Sequence, residues 1–251
     1  MFHELVTENS KNAVAIAEVK GSKYGGTNIY IKPKKEHNEK FSQIILPKNG
    51  LMQPLYTSHE GYPNRYLISA PSLAGKSYFA GMLAQSYKKQ YPKNRIILFS
   101  AVSHDKAFEK LKPLRIECDE KLIEDPIKLD ELKNSLVIMD DIDSFPNKDI
   151  SKALNHLRDQ IMTTGRHENI AVISTTHLLL EGEKSKKAIT QAFNVVLFPS
   201  TGGRYHATEF LKRYMGYKKD EIDKIVNLPS RWVQVNRVPT YVLYQGGAFV
   251  M

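Results

Sequence analysis

The stretch Arg65-Tyr66-Leu67-Ile68-Ser69-Ala70-Pro71-Ser72-Leu73-Ala74-Gly75-Lys76-Ser77 marks where the chain turns to alternating strands and helices. Residues 66–69 read as a short apolar strand. Residues 77–91 read as a helix, because Phe79, Met82, Leu83 and Tyr87 recur on one helical face and Pro92 lies where a helix must stop. Between them, residues 70–77 match the phosphate-loop pattern G-x-x-x-x-G-K-[ST], with Ala70 in place of the first glycine. Placement carries the chemistry. A loop that opens a helix turns several backbone N–H groups toward one concavity, and the helix dipole adds positive charge there. Gly75 lets the backbone approach phosphates without a Cβ. Lys76 is expected to pair with the β- and γ-phosphates and the Ser77 hydroxyl to ligate Mg²⁺. The expected ligand of Ala70, Pro71, Ser72, Leu73, Ala74, Gly75, Lys76 and Ser77 is therefore Mg-ATP.

Outward from this loop the strand–helix alternation continues. Residues 95–100 (RIILFS) suit a strand buried on both faces, and 136–139, 170–174 and 195–198 are three more strands. Ile150, Leu154, Leu157 and Ile161 repeat at helical spacing between the strands at 136 and 170. Strands separated by helices predict an α/β fold, with a mostly parallel central sheet and helices on both faces. Upstream, 13–19 and 27–31 read as strands around a Gly25-Gly26 turn, 43–46 as a third, and 32–40 (KPKKEHNEK) as a charged loop. Downstream, 206–215 and 220–227 read as helices. Residues 231–236, 240–244 and 248–250 read as antiparallel strands, the last two joined across Gly246-Gly247. The expected organisation is an N-terminal β-rich extension over 1–60 and a P-loop ATPase domain over 61–251, which ends in those antiparallel strands.

Leu136-Val137-Ile138-Met139-Asp140-Asp141 is an apolar strand ending in two carboxylates. In open α/β sheets such a strand exposes its C-terminal edge beside the phosphate loop. Asp140 is the candidate for the Mg²⁺ shell, and Asp141 the candidate general base for the attacking water. The strand at 170–174 leads into Thr175-Thr176-His177, where a polar tip can sense the γ-phosphate or place the water. His177 is that candidate, with Thr175 and Thr176 behind it. Thr164-Gly165-Arg166-His167 precedes the same strand. Arg166 is the candidate arginine finger for a neighbouring subunit's nucleotide; its alternatives are a DNA-phosphate contact or a plain surface charge. Arg158 and Arg204 are further finger candidates.

Composition narrows the partners. The 251 residues are 41% hydrophobic and 25% charged, enough for a full core. Lys and Arg exceed Asp and Glu by nine, a field that attracts polyanions, with nucleic acid the commonest. Cys118 is the only cysteine, which excludes an internal disulfide and a multi-cysteine metal site; the remaining histidines lack metal-ligand spacing. No apolar run approaches the roughly 20 residues that cross a bilayer, and no secretory leader is expected.

The order of these parts resembles the FtsK/HerA superfamily of P-loop DNA-pumping ATPases, and within it the poxvirus-type viral genome-packaging ATPases. Four stretches carry the resemblance: residues 70–77, LVIMDD at 136–141, TGRHENIAVISTTH at 164–177 and SRWVQVNRVPTYVL at 230–243. The family tends to show a Gly-Arg-His element and then a strand ending in a polar sensor, usually glutamine; here His177 stands in that place. The resemblance covers about residues 60–245. It implies a RecA-like core with the sensor strand between the phosphate-loop and acidic-pair strands. It also implies a homo-oligomeric ring, pentamer or hexamer, that translocates double-stranded DNA without reading sequence. The implied partner is a viral capsid vertex or portal protein, and the implied location is intracellular, in host cytoplasm or a viral factory, extending to the virion. A nucleotide or nucleoside kinase, and a non-translocating NTPase switch or assembly factor, are the alternatives, since both also use a phosphate loop.

Overall fold

The computed structural model describes residues 2–34, 42–58, 62–180 and 182–251. The N-terminal part contributes β1 (Phe2–Val6), β2 (Val14–Lys20), β3 (Asn28–Lys34), β4 (Gln43–Ile45) and β5 (Leu51–Pro54). The α/β core follows with β6 (Arg65–Ser69), α1 (Lys76–Gln90), β7 (Arg95–Ser100), α2 (Lys106–Glu109), β8 (Leu114–Arg115), α3 (Lys121–Glu124) and β9 (Ser135–Asp140). It continues through α4 (Lys148–Thr164), β10 (Ile170–Thr176), α5 (Glu183–Gln191) and β11 (Asn194–Leu197). The chain ends with α6 (Arg204–Tyr214), α7 (Lys219–Val226), β12 (Val233–Arg237), β13 (Thr240–Tyr244) and β14 (Gly247–Val250).

The described strands form two sheets. The large one has the order β4-β14-β13-β12-β11-β6-β10-β9-β7-β8. From β11 to β8 all neighbours run parallel, whereas β12, β13, β14 and β4 add antiparallel strands at one side. The strand with the polar tip, β10, lies between β6 and β9, the position that the resemblance implied.

Alternation along the central strands explains how both sheet faces are covered. In β9, Val137 and Met139 join the core built with α4, α5, α6 and α7, while Leu136 and Ile138 join the core built with α1 and the small sheet. Successive side chains of a strand point to opposite faces, so a strand buried on both is apolar throughout. The helix face read at Phe79, Leu83 and Tyr87 is buried, with Met82 partly so, and all four residues read in α4 are buried.

The smaller sheet, β1-β3-β2-β5, packs its apolar face (Ile16, Val19, Ile29, Ile31, Met52) into the α1 side. The N-terminal residues therefore cover the core. β4 differs, because it pairs with β14 in the large sheet. Several readings change. β1, β5 and β8 are strands and α5 a helix where none was expected, and β3 runs to Lys34 into the expected charged loop, whose remainder at 35–40 lies outside the described residues. No helix among the described residues is long and apolar enough to cross a membrane. Cys118 is half-buried, and its thiol is pushed up to about 11 by burial, which suits an unreactive side chain.

Candidate nucleotide site

The phosphate loop leaves β6 at its C-terminal end and enters α1 through Gly75, whose φ of 108° lies in the left-handed region that glycine tolerates without strain. Lys76 follows as the first helical residue and is 5% exposed. An ammonium has three protons to place. Lys76 Nζ has three partners: the Ala70 carbonyl at 3.1 Å, His177 Nδ1 at 2.9 Å and Asp141 Oδ2 at 3.5 Å. Because Nδ1 faces a donor, the ring proton belongs on Nε2, which lies 3.0 Å from the same Asp141 Oδ2. Lys76, His177 and Asp141 thus form a closed triangle across the tips of three adjacent parallel strands.

Backbone geometry places the two residues of the acidic pair differently. Asp140, the last residue of β9, is 3% exposed. Asp141 turns into the left-handed region at φ 48°, which swings its carboxylate toward the loop. Such a conformation costs a non-glycine residue about 1 kcal/mol or more, and persists where surrounding bonds over-determine it. Here the Asp141 N–H donates to Thr175 Oγ1 at 2.9 Å. The same hydroxyl lies 2.9 Å from Asp140 Oδ1 and 3.1 Å from Asp141 Oδ1, so Thr175 bridges the two carboxylates. Ser100, at the end of β7, donates to Asp140 Oδ2 at 3.3 Å. Burial first, and then the Asp141 charge, push the Asp140 carboxyl up to about 6, against the lowering by Thr175.

Lys76, Asp141 and His177 face a cavity of about 770 Å³ at the C-terminal edge of the parallel strands, a size that suits a nucleotide, whereas Asp140 is buried behind Asp141 and is not part of its lining. Pro71, Ser72, Leu73, Gly75, Lys76, Ser77, Asp141 and His177 all line it, which brings most of the sequence candidates together. Ala70 and Ala74 are buried beneath the loop. The sequence reading missed Asp105, Lys106 and Lys110, which also line the cavity from the segment after β7. Asp105 spends one carboxylate oxygen capping α2 through the Ala107 N–H (2.8 Å). The signal that could have found them is the rule that residues beyond the C-terminal ends of parallel strands line the ligand crevice.

Arg166 is not in this cluster. It sits in a short turn, Gly165–Glu168, before β10, so a seven-residue strand separates it from His177 at the other end. Arg158 is buried and paired with Asp159 at 3.0 Å. Arg204 opens α6 on the loop side of the sheet and donates to Asn227 Oδ1 at 2.9 Å.

Hard oxygen donors suit Mg²⁺. The Ser77 hydroxyl and the Asp140 carboxylate are such donors, and the raised Asp140 pKa marks a buried carboxyl that a nearby cation would favour in its ionised form. Among the described residues no group of three or more His, Cys, Asp or Glu is arranged to hold a metal, so phosphate and water would supply the remaining ligands.

No profile of a known protein family matches the sequence. Protein V3 of Sputnik virophage is 30% identical to the chain over 247 residues, covering 95% of this chain and 96% of that protein. Among solved structures, the genome packaging NTPase B204 from Sulfolobus turreted icosahedral virus 2 superposes with a TM-score of 0.50 at 12% identity, covering 73% of this chain and 96% of that chain. B204, the DNA-packaging ATPase from Sulfolobus turreted icosahedral virus, gives a TM-score of 0.50 at 15% identity, covering 73% and 98%. With its phosphate loop, acidic pair and polar-tipped strand β10 in this order on that fold, the chain belongs to the family of the Sputnik virophage protein V3 and shares the fold of the viral genome-packaging ATPases.

Proposed function

We propose that this protein is an ATP-hydrolysing motor that translocates double-stranded DNA and packages a viral genome into a preformed capsid. The observation that carries the reading is the convergence of Lys76, Asp141 and His177 on one cavity beside Ser77 and Asp140. In this reading the phosphate loop cradles the nucleotide, and the β- and γ-phosphates replace His177 and Asp141 as partners of the Lys76 ammonium. Mg²⁺, held by Ser77 and Asp140, would offset charge on the phosphates. Asp141, released from Lys76, then accepts a proton from the attacking water. The new bond joins water oxygen to the γ-phosphorus, and the bond to the ADP oxygen breaks. His177, at the tip of β10, reports whether the γ-phosphate is present.

Support for DNA as the cargo comes from the fold shared with B204 and from the excess of nine basic side chains, which suits a sequence-independent grip on phosphates. A ring of identical subunits would bring Arg166, at the far edge of one subunit, to the nucleotide of the next. The capsid vertex or portal would be the docking partner, with the host cytoplasm or viral factory as the workplace.

The deciding experiment is ATP hydrolysis measured with and without double-stranded DNA, beside Lys76→Ala. Stimulation by DNA that vanishes in K76A is the expected result. Phosphate transferred to a nucleoside or nucleotide would establish a kinase instead, and full activity in K76A would remove the site.

A further inference from the structure

Arg231 stands just before β12, in a segment to which the nucleotide site assigns no role. Its Nη2 donates to the Leu73 carbonyl at 3.1 Å, across 158 residues of sequence. Its Cζ lies 3.9 Å, and its Nε 4.0 Å, from where a Cβ on Gly75 would sit. The guanidinium therefore lies against the phosphate loop at both Leu73 and Gly75, while the lining of the cavity is supplied by other side chains.

Leu73 needs such a hold. Its φ is 64°, a conformation that side-chain-bearing residues adopt only at a cost, and its side chain is 98% exposed and so contributes no packing. The conformation is kept by backbone bonds. The Ala74 N–H donates to the Pro71 carbonyl at 3.3 Å, and Arg231 takes the Leu73 carbonyl. A carbonyl turned outward to an arginine leaves the amides of the loop free to turn inward, where phosphate oxygens accept them.

Arg231 is itself held on several sides. Its N–H donates to Gln245 Oε1 at 2.6 Å, and the Gln245 N–H donates to Ser230 Oγ at 3.0 Å. Trp232, buried, meets Phe79 of α1 edge-on at 5.0 Å between ring centroids. The Gln245 carbonyl also accepts the N–H of Met52 in β5, at 2.8 Å. Three bonds thus run in series from the phosphate loop through Arg231 and Gln245 to the small sheet.

We propose that Arg231 is a positioning residue for the nucleotide: it holds the phosphate loop by the Leu73 carbonyl, and Gln245 ties that hold to the β13–β14 turn and the small sheet. The proposal rests on the phosphate loop being the ATP site. Because Arg231 does not touch the reacting atoms, its loss acts on binding.

The test is ATP affinity and turnover in the full chain for Arg231→Ala, Arg231→Lys and Gln245→Ala, with Lys76→Ala as the reference. R231A is expected to raise Kd and KM for ATP about tenfold, the loss of one charge-assisted hydrogen bond, with kcat within about twofold of the parent. R231K keeps a donor and should recover most of the affinity. Q245A removes only the bond that fixes the Arg231 backbone, so it should weaken binding by less, and the R231A/Q245A pair should lose less than the two single losses combined. If R231A does not fold, R231K and Q245A carry the same readouts. Unchanged Kd and KM across the series would overturn the proposal, as would a fall in kcat at unchanged Kd. Full ATP binding and hydrolysis in K76A would overturn the nucleotide site and this proposal together, whereas an inactive K76A beside parent-like R231A and Q245A would overturn this proposal alone.

Discussion

At the scale of the residue, two adjacent aspartates meet different surroundings because the backbone turns between them. Asp140 continues the strand and is buried, whereas Asp141 turns into the left-handed region and reaches Lys76 and His177. Asp141→Asn should keep ATP bound and lower kcat by about 100-fold or more, the usual contribution of a general base, as single-turnover hydrolysis would report. Asp140 carries a stability prediction. Its carboxyl is raised from 3.8 to about 6, so above about pH 6 the folded protein holds a buried charge that the unfolded chain holds more easily. That cost shrinks as pH falls through about 6 and is gone below the unfolded-state value, where both states are protonated. Asp140→Asn should therefore stabilise the metal-free protein by about 1–3 kcal/mol near pH 8, and by little near pH 4, in thermal unfolding. The same variant should lose Mg²⁺-dependent hydrolysis. Lys76, Ser77, Asp140, Asp141 and His177 could be named as candidates from sequence because each is a chemical type at the end of a periodic element. Thr175 as a bridge between carboxylates, and Arg231 on Leu73, could not, since both depend on hydrogen-bond directions that spacing does not encode.

At the scale of the element, α1 shows where propensity yields to packing. Gly81 lies inside this helix, and replacing a mid-helix glycine by alanine ordinarily stabilises by about 1 kcal/mol. Here a Cβ would lie 2.5 Å from the Ala107 carbonyl oxygen of α2, a backbone atom that cannot swing aside. Gly81→Ala should instead destabilise by about 1–3 kcal/mol, read as a lower unfolding midpoint. It should also weaken nucleotide binding, because Lys106 of α2 and Lys110 just after it line the cavity. The long elements could be read from periodicity: α4 buries Ile150, Leu154, Leu157 and Ile161, and β6, β7, β9 and β10 each contain a continuous apolar run. β1, β5 and β8 escaped because they are short, and their strand character comes from the partners β3, β2 and β7 that they pair with.

At the scale of the whole molecule, the candidate finger and the nucleotide cavity sit at opposite ends of β10, so one subunit cannot complete its own site with Arg166. Mixing Arg166→Ala subunits with Asp141→Asn subunits should restore part of the ATPase activity if the arginine serves a neighbour; no recovery at any ratio would count against a finger in trans. The sequence by itself determined the α/β alternation, the place of the phosphate loop and the acidic strand, and the sign of the overall charge. These follow from local periodicity and residue chemistry, which are properties of the chain alone. Only the tertiary structure decided that β10 lies between β6 and β9, that β4 joins the far side of the large sheet, and that the N-terminal strands seal the α1 face. Strand order depends on which apolar faces bury each other best across long separations, and that competition is settled by the folded chain as a unit.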